Sequence, residues 1–340
     1  MNTATGTAPA MPVQMEEEPA ASVSLARRIG TFLARQYLAG VLLVLVALLS
    51  VFQPAIIGAG NINSVLLQAA ITGVSACGMA LLIGTGLLDL SVPGVIAISA
   101  LTAAALLPNT TIGVAIAGAL AVGALAGLIN GVLVAYLKIA SFIATLGTQY
   151  LFLGIAFIVT EGGIVPIESY YYRSMATQSL GPIPVSFLVL LVVAGLAYGL
   201  LYWTHFGRGL RAIGSNERAA RLAGVPVSAF KAAAFVIAGV SFAGAGVFLS
   251  GLLSSASGTM ALSFELNAIA AVVVGGTALR GGRATLAGTV VGAVLFSYLS
   301  NALNLLGVAS YWQYVLTGTV LAVAVAAGSL RRGPEARGAD

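Results

Sequence analysis

Few residues in this chain carry side chains that could do chemistry. It has one histidine (His205), one cysteine (Cys77), two lysines (Lys138 and Lys231) and 10 acids. A single thiol excludes a disulfide framework and a cysteine metal centre, and a single imidazole excludes a paired-histidine zinc site or a histidine relay. Neither lysine closes a G-x-x-x-x-G-K phosphate loop, so no nucleotide site of that kind is expected. What remains is carboxylate chemistry in an apolar setting. Asp89 and Glu265 are the acids nearest the most apolar stretches, while Glu161 and Glu168 fall in a long polar connection. A carboxylate in an apolar medium is costly unless it is paired or in use, so Asp89 and Glu265 are candidates to line a path, gate it or relay a proton. Plainer roles compete. Asp89 sits at a turn where capping a helix end would suffice, and Glu265 follows the connection 253–262 and can touch water.

The elements that hold these residues follow from composition. Of 340 residues, 59% are hydrophobic and only 7% charged, with a mean hydropathy of +1.03. Soluble proteins carry about 25% charged residues, so this chain cannot cover a water-facing surface. A soluble enzyme, a nucleic-acid-binding domain and a disordered chain are all excluded. The formal charge of +5 is not gathered on a polar domain; the medium it meets is a lipid bilayer, not nucleic acid. With 42 glycines, the expected fold is an all-α polytopic membrane protein with closely packed helices.

A spanning helix needs roughly 20 apolar residues, and charges punctuate the chain at about that interval. Ten spans are expected, at 37–57, 63–83, 91–108, 112–136, 141–160, 184–204, 231–252, 263–279, 285–305 and 312–330, within one domain, 37–330. The third and eighth are short and bounded by glycine, as broken or re-entrant segments would be. An even count puts both termini on one side. Fourteen of the 15 Lys and Arg residues then fall on that side and only Arg173 on the other. The positive-inside rule makes that side cytosolic. Residues 1–24 read as a disordered cytoplasmic tail and 331–340 as a second tail. Over 25–36, Leu25, Ile29, Phe32 and Leu33 share a helical face away from Arg27, Arg28 and Arg35, as in a helix lying on the membrane or in the basic flank of the first span.

Glycines repeat every fourth residue at Gly123, Gly127 and Gly131, continuing a row from Ala115 and Ala119, and again at Gly288 and Gly292 after Ala284. Small residues at this spacing let helix backbones approach closely in lipid. Two glycine-rich interruptions, Gly84–Gly94 and Gly275–Arg283, fall at the expected inner face. Each reads as a tight helix–helix turn or a break that flexes or lines a path. In the first, Ser91 is a candidate cap and Pro93 suits a helix start.

The connection 205–231 is the one long cytoplasmic segment, and it predicts a short helix. Ser215 is placed to cap it, Glu217 suits its first turn, Arg221 its last, and Gly224 with Pro226 ends it. Glu217 and Arg221 form an i,i+4 pair, while Ala219, Leu222 and Ala223 make a small apolar face. That face could enter a groove on a soluble partner, or rest on the bundle or the lipid surface.

Several stretches, in order, resemble one family. They are Gly86–Leu–Leu–Asp89–Leu–Ser91–Val92, Asn130–Gly–Val–Leu–Val134, Phe142–Ile–Ala–Thr–Leu–Gly147, Ala212–Ile–Gly–Ser–Asn–Glu–Arg–Ala–Ala–Arg–Leu–Ala–Gly224, Glu265–Leu–Asn–Ala–Ile–Ala–Ala–Val–Val–Val–Gly–Gly–Thr277, Gly281–Gly–Arg283 and Leu303–Asn–Leu–Leu–Gly307. Together they resemble the permease subunits of bacterial sugar ABC importers of the ribose, xylose, arabinose and autoinducer-2 group, over about residues 60–330. The resemblance implies a type II-like importer permease in the bacterial inner membrane, with two copies or a pair of permeases forming the path. It implies a periplasmic sugar-binding protein outside and ABC ATPase subunits inside, the latter binding ATP, so that the permease needs no cofactor and is not itself an enzyme. The family's coupling motif falls on Gly214, Asn216, Glu217, Ala219, Ala220, Arg221 and Gly224. Asp89, Ser91, Glu265 and Asn301 are candidates for the path or gate. Pro93, Arg280 and Ala223 depart from the family pattern, which favours glycine, a small or apolar residue, and serine respectively.

The expected function is a path for a monosaccharide or small polyol, opened and closed by the ATPase partner. A branched-chain amino acid importer permease is the nearest rival, and the Asp89–Leu–Ser–Val and Asn–Glu–x–Ala–Ala forms fit it less well. An ion-coupled secondary transporter would instead lean on Asp89 or Glu265.

Overall fold

The computed structural model describes residues 53–309 continuously, together with 40, 42, 44–48, 50, 51, 311–315, 317–319 and 322. The tails 1–24 and 331–340 and the segment 25–36 lie outside the described residues, and the first and tenth expected spans are described only in part, as helix.

Between them the helices follow the hydropathy pattern closely. They are α1 (Ala59–Gly84), α2 (Val92–Leu106), α3 (Ile112–Ala135), α4 (Ser141–Thr160), α5 (Tyr170–Thr177), α6 (Val185–Trp203), α7 (His205–Ser215), α8 (Glu217–Leu222), α9 (Val227–Leu253), α10 (Phe264–Val274) and α11 (Leu286–Leu305). Six of them, α1, α3, α4, α6, α9 and α11, are long and apolar enough to cross a membrane. At 1.5 Å per residue, the 15 residues of α2 and the 11 of α10 reach only about 22 and 16 Å. Both fall short of a hydrocarbon core near 30 Å, and non-helical backbone flanks each, over 85–91 and 275–285.

Helix α1 is buried along nearly its whole length, while α3, α4 and α6 keep broad apolar faces exposed. The core is built by close backbone approach. Helices α3 and α9 run antiparallel, with Gly123 against Gly239, Gly127 against the Phe235 carbonyl and Gly131 against Ala232. Helices α10 and α11 form a similar pair, with Gly288 on Gly275 and Gly292 on Ala271. A β-carbon at Gly127, Gly288 or Gly292 would collide with a carbonyl oxygen of the facing helix.

The connections at one end of the bundle hold each other. Strand β1 (Ile164–Pro166) pairs antiparallel with β4 (Ser255–Ser257), in register Val165↔Ala256. Strands β2 (Ser179–Leu180) and β3 (Ile183–Pro184) make a small hairpin. Tyr172 on α5 is fully buried, its hydroxyl donating to the Val247 carbonyl at 3.1 Å and lying 2.8 Å from Ser250 Oγ. Loops 161–183 and 253–262 therefore share one face. The breaks after α1 and α10 meet the α7–α8 segment on the other.

Candidate functional site

The break after α1 leaves backbone N–H groups without helical partners in a buried place, where an unmet donor is costly. Side chains of α4 and of the break itself meet them. Thr145 Oγ1 accepts from Leu90 N at 2.9 Å and Ser141 Oγ from Leu88 N at 3.4 Å, both from the first turns of α4. Asp89 Oδ1 accepts from Ser91 N at 2.7 Å and from Ser91 Oγ at 2.6 Å. Asn130 on α3 closes the cluster, its Nδ2 donating to Ser91 Oγ at 2.7 Å and to Asp89 Oδ2 at 3.2 Å. Its Oδ1 accepts from Thr148 Oγ1 on α4 at 2.6 Å. Asp89, Ser91, Asn130, Thr145 and Thr148 are all buried, none more than 5% exposed.

This places two expected path residues inside a structural hub. Asp89 and Ser91 are engaged with each other and with Asn130. Ser91 does stand at the N-cap of α2 with Pro93 in the first turn, but its side chain makes no capping bond. Its hydroxyl goes back to Asp89 Oδ1 at 2.6 Å. Glu265 and Asn301 are elsewhere, in the first turn of α10 and the last of α11, at the end of that hairpin remote from the hub. Glu265 Oε2 and Asn301 Oδ1 are buried without a hydrogen-bond partner.

The connection 205–231 holds two helices where the sequence predicted one. Thr204 caps α7 by accepting from Gly207 N at 3.1 Å. Ser215 does not cap α8; it is the last residue of α7, and its hydroxyl donates to the Arg211 carbonyl one turn back at 2.9 Å. Asn216 takes the cap, with extended backbone and Oδ1 accepting from Ala219 N at 3.0 Å. The stop is as expected from Gly224, whose φ of +82° is open to glycine at little cost. Val225 N bonds the Ala220 carbonyl and Gly224 N the Arg221 carbonyl, the paired bonds of a Schellman end.

Glu217 bonds Arg221 at 2.7 Å and also Lys231 at 2.6 Å, tying α8 to the start of α9. The Lys231 hydrogen bond, ahead of the other contacts, holds the Glu217 carboxyl below the usual range. Ala219, Leu222 and Ala223 are exposed, Leu222 to 83%. Ala220 is 4% exposed and turns inward, against Ile213 and Val227. The coupling motif thus splits into an outward face and an inward anchor.

Gly214 joins this segment to both helix breaks. A β-carbon there would strike the Gly84 carbonyl oxygen and lie 2.6 Å from Gly282 N. Gly282 N donates to the Gly84 carbonyl at 2.9 Å. A β-carbon on Gly281 would lie 2.8 Å from both the Gly214 oxygen and Gly86 N. Three separate segments meet here through backbone alone.

The residues that sequence reasoning passed over are Asn130, Thr145 and Thr148 in the hub, Lys231 as the second partner of Glu217, and the meeting of Gly84, Gly214, Gly281 and Gly282. Part of the signal was present. Asn130 and Thr145 stand inside two of the stretches that carry the resemblance, and Gly214, Gly281 and Gly282 inside others, while Gly84 precedes them.

Comparison with known proteins places this geometry. A family model described as the permease component of branched-chain amino acid transport systems matches residues 61–325. The chain belongs to this permease family. The match takes in the hub, α7–α8 and the α10–α11 hairpin. The permease is 38% identical to the ribose import permease protein of Haemophilus influenzae over 307 residues, 88% of this chain and 94% of that one. It is 34% identical to the L-arabinose ABC transporter permease protein of Azospirillum brasilense over 327 residues, 94% and 96% of the two chains. It is 33% identical to the galactose/methyl galactoside import permease protein of Escherichia coli K12 over 311 residues, 86% and 93%. No solved structure matches. The permease is therefore a multi-pass membrane protein and a transport subunit.

Proposed function

We propose that the permease forms the translocation path for a monosaccharide in an ATP-driven importer, with the sugar delivered by a periplasmic binding protein. The family description alone would allow an amino acid. What favours a sugar is that the relatives matched over nearly their whole length are named for ribose, arabinose and galactose. The observation that carries the ATP-driven reading is α8: a capped, Schellman-ended helix with an exposed Ala219–Leu222–Ala223 face, anchored by Ala220 and joined through Gly214 to two helix breaks. A partner pushing on that face moves the breaks, and it can drive transport only by contacting the two access states differently. An ion-coupled mechanism would lean on Asp89 or Glu265; Asp89 is fully engaged in the hub, and for Glu265 the uncoupler arm of the test below decides.

On this reading ten segments cross the inner membrane, α2 and α10 completed by the non-helical backbone beside them, with both termini and 205–231 in the cytosol. A second permease copy completes the path, and Glu265 and Asn301, whose orphan oxygens suit sugar hydroxyls, line it. The partners are ABC ATPase subunits and the sugar-binding protein. The test is uptake in proteoliposomes holding the permease with the binding protein and ATPase encoded beside it. ATP-dependent uptake of labelled ribose, arabinose or galactose, insensitive to a proton uncoupler, is expected. Uptake of leucine in place of sugar, or uptake without ATP, would overturn the reading.

A further inference from the structure

A cavity of about 740 Å³ lies between α1, α6 and α9, away from the hub and the junction. Its walls are almost wholly apolar, with Val189, Val193, Leu196 and Leu200 of α6 facing Ile237 and Val240 of α9. It offers nothing to a sugar, whose hydroxyls would lose their water without replacement. Along α6 it runs from Val185 to Thr204, about 28 Å at the helical rise and so close to the depth of a bilayer's hydrocarbon. The groove is long and apolar.

Its Thr204 end is marked by charge. The following residues include His205 and Arg208, both exposed, and among the described residues neither has an ion-pair partner. The nearest acid of this segment, Glu217, is already taken by Arg221 and Lys231. Trp203, next to Thr204, is 76% exposed, as suits an indole at a membrane interface.

We propose that this groove holds an acyl chain of an anionic phospholipid, with the phosphate received by Arg208 and His205. Length and lining select a hydrocarbon chain, and the unpaired Arg208 guanidinium selects the sign of its head. An acyl chain held against α1 and α9 lies on the two helices that form the core of the bundle, so the bound lipid becomes part of the packing.

The test uses full-length permease in phosphatidylcholine nanodiscs doped with phosphatidylglycerol that carries a diazirine midway along one chain. Cross-links read by peptide mass spectrometry are expected on α6 around Val193–Leu200 and on α9 around Ile237–Val240. Unlabelled phosphatidylglycerol should compete severalfold better than phosphatidylcholine, and Arg208→Gln should remove that preference. Val193→Trp, which fills the groove, should abolish the cross-links while leaving background labelling of other helices unchanged. Equal competition by both lipids, with Arg208→Gln without effect, would overturn the proposal in favour of ordinary lipid contact. So would cross-links confined to other faces, or engineered-cysteine pairing that shows residues 1–37 or a second copy seated in the groove.

Discussion

Gly214→Ala should uncouple the permease from its partner, because the added methyl group falls where three backbones meet. Ordinary van der Waals contact begins near 3.4 Å, yet the new β-carbon would lie 2.6 Å from Gly282 N and closer still to the Gly84 oxygen. Neither neighbour is a flexible side chain that could swing away. Relief therefore requires backbone to move by roughly 1 Å, enough to break the 2.9 Å bond from Gly282 N to the Gly84 carbonyl. Overpacking of a tight site costs about 1–3 kcal/mol, and the lost hydrogen bond about 0.5–1.5 kcal/mol more. A loss of about 2–4 kcal/mol is expected. Thermal unfolding in detergent would read the stability, and binding-protein-stimulated ATP hydrolysis in the assembled importer would read the coupling. Two controls separate the causes. Gly224→Ala meets open space and suffers only its φ of +82°, about 1–2 kcal/mol, so it should weaken the end of α8 and leave the junction whole. Gly147→Ala on α4 has nothing within 4 Å and a helical backbone, so it should be neutral or slightly stabilising. Wild-type melting and wild-type coupling in Gly214→Ala would refute the close approach and the reasoning built on it.

Asn130→Ala should cost more than a surface change, about 1–3 kcal/mol or above, since it strips partners from Asp89, Ser91 and Thr148 at once; reduced accumulation in the membrane would register it, and an unchanged level would mean that the hub is dispensable. Leu222→Glu alters a side chain 83% exposed, so melting should hold while stimulated ATPase activity falls, and intact stimulation would show that α8 is not the contact. Because Lys231 holds the Glu217 carboxyl low, the stabilisation it gives is present above the ordinary carboxylate range and lost as pH falls through the depressed value. Melting scanned downward in pH should show an acid limb that Glu217→Gln flattens, and identical limbs would remove the ion pairs from the account. In a Cys77→Ala background, an impermeant thiol reagent on intact cells should label a cysteine at Glu168 and not one at Ser215; the reverse pattern would invert the topology.

The helices were legible because hydropathy is a long-range average. Eight of the expected spans coincide with α1–α4, α6 and α9–α11 to within a few residues, and the shortness of the third and eighth could be read from glycine at their ends. The glycine rows were legible for the same reason, since a period of four defines a face. Local capping was less so. Ser215 and Asn216 are both good caps, and the choice between them rests on where α7 ends, which its packing against α6 and α9 decides. Ala220 shows the limit plainly. The resemblance groups it with Ala219 in one coupling motif, and the structure separates them, packing Ala220 inward with Ile213 and Val227. The hub was illegible to periodicity because its members are 41 and 59 positions apart, from Asp89 to Asn130 and to Thr148; the resemblance marked Asn130 and Thr145 without saying that they meet.

The junction and the hub together account for the concentration of the recurring stretches at helix breaks. A signal that enters at α8 must reach helices whose faces are sealed by carbonyl-to-glycine contacts, and such faces slide poorly because interiors are close-packed. The breaks are where backbone is free of the helical ladder and can turn. Side chains would carry force to them through rotatable bonds and lose it. Peptide groups in direct contact, at Gly84, Gly214 and Gly282, carry it without that slack. The break after α1 then needs a fixed footing, or it would yield without moving α2. Asp89, Ser91 and Asn130 supply it by fastening the turn to α3, and Thr145 and Thr148 by fastening it to α4. On the proposed reading, displacement at Gly84 would pass on to α2, which is short enough to tilt, with α3 and α4 as the reference against which it would move. A carboxylate buried in a membrane protein is ordinarily suspected of touching the cargo. Here its geometry fastens the turn after α1 to α3, and on the proposed reading it would serve as the pin of a hinge.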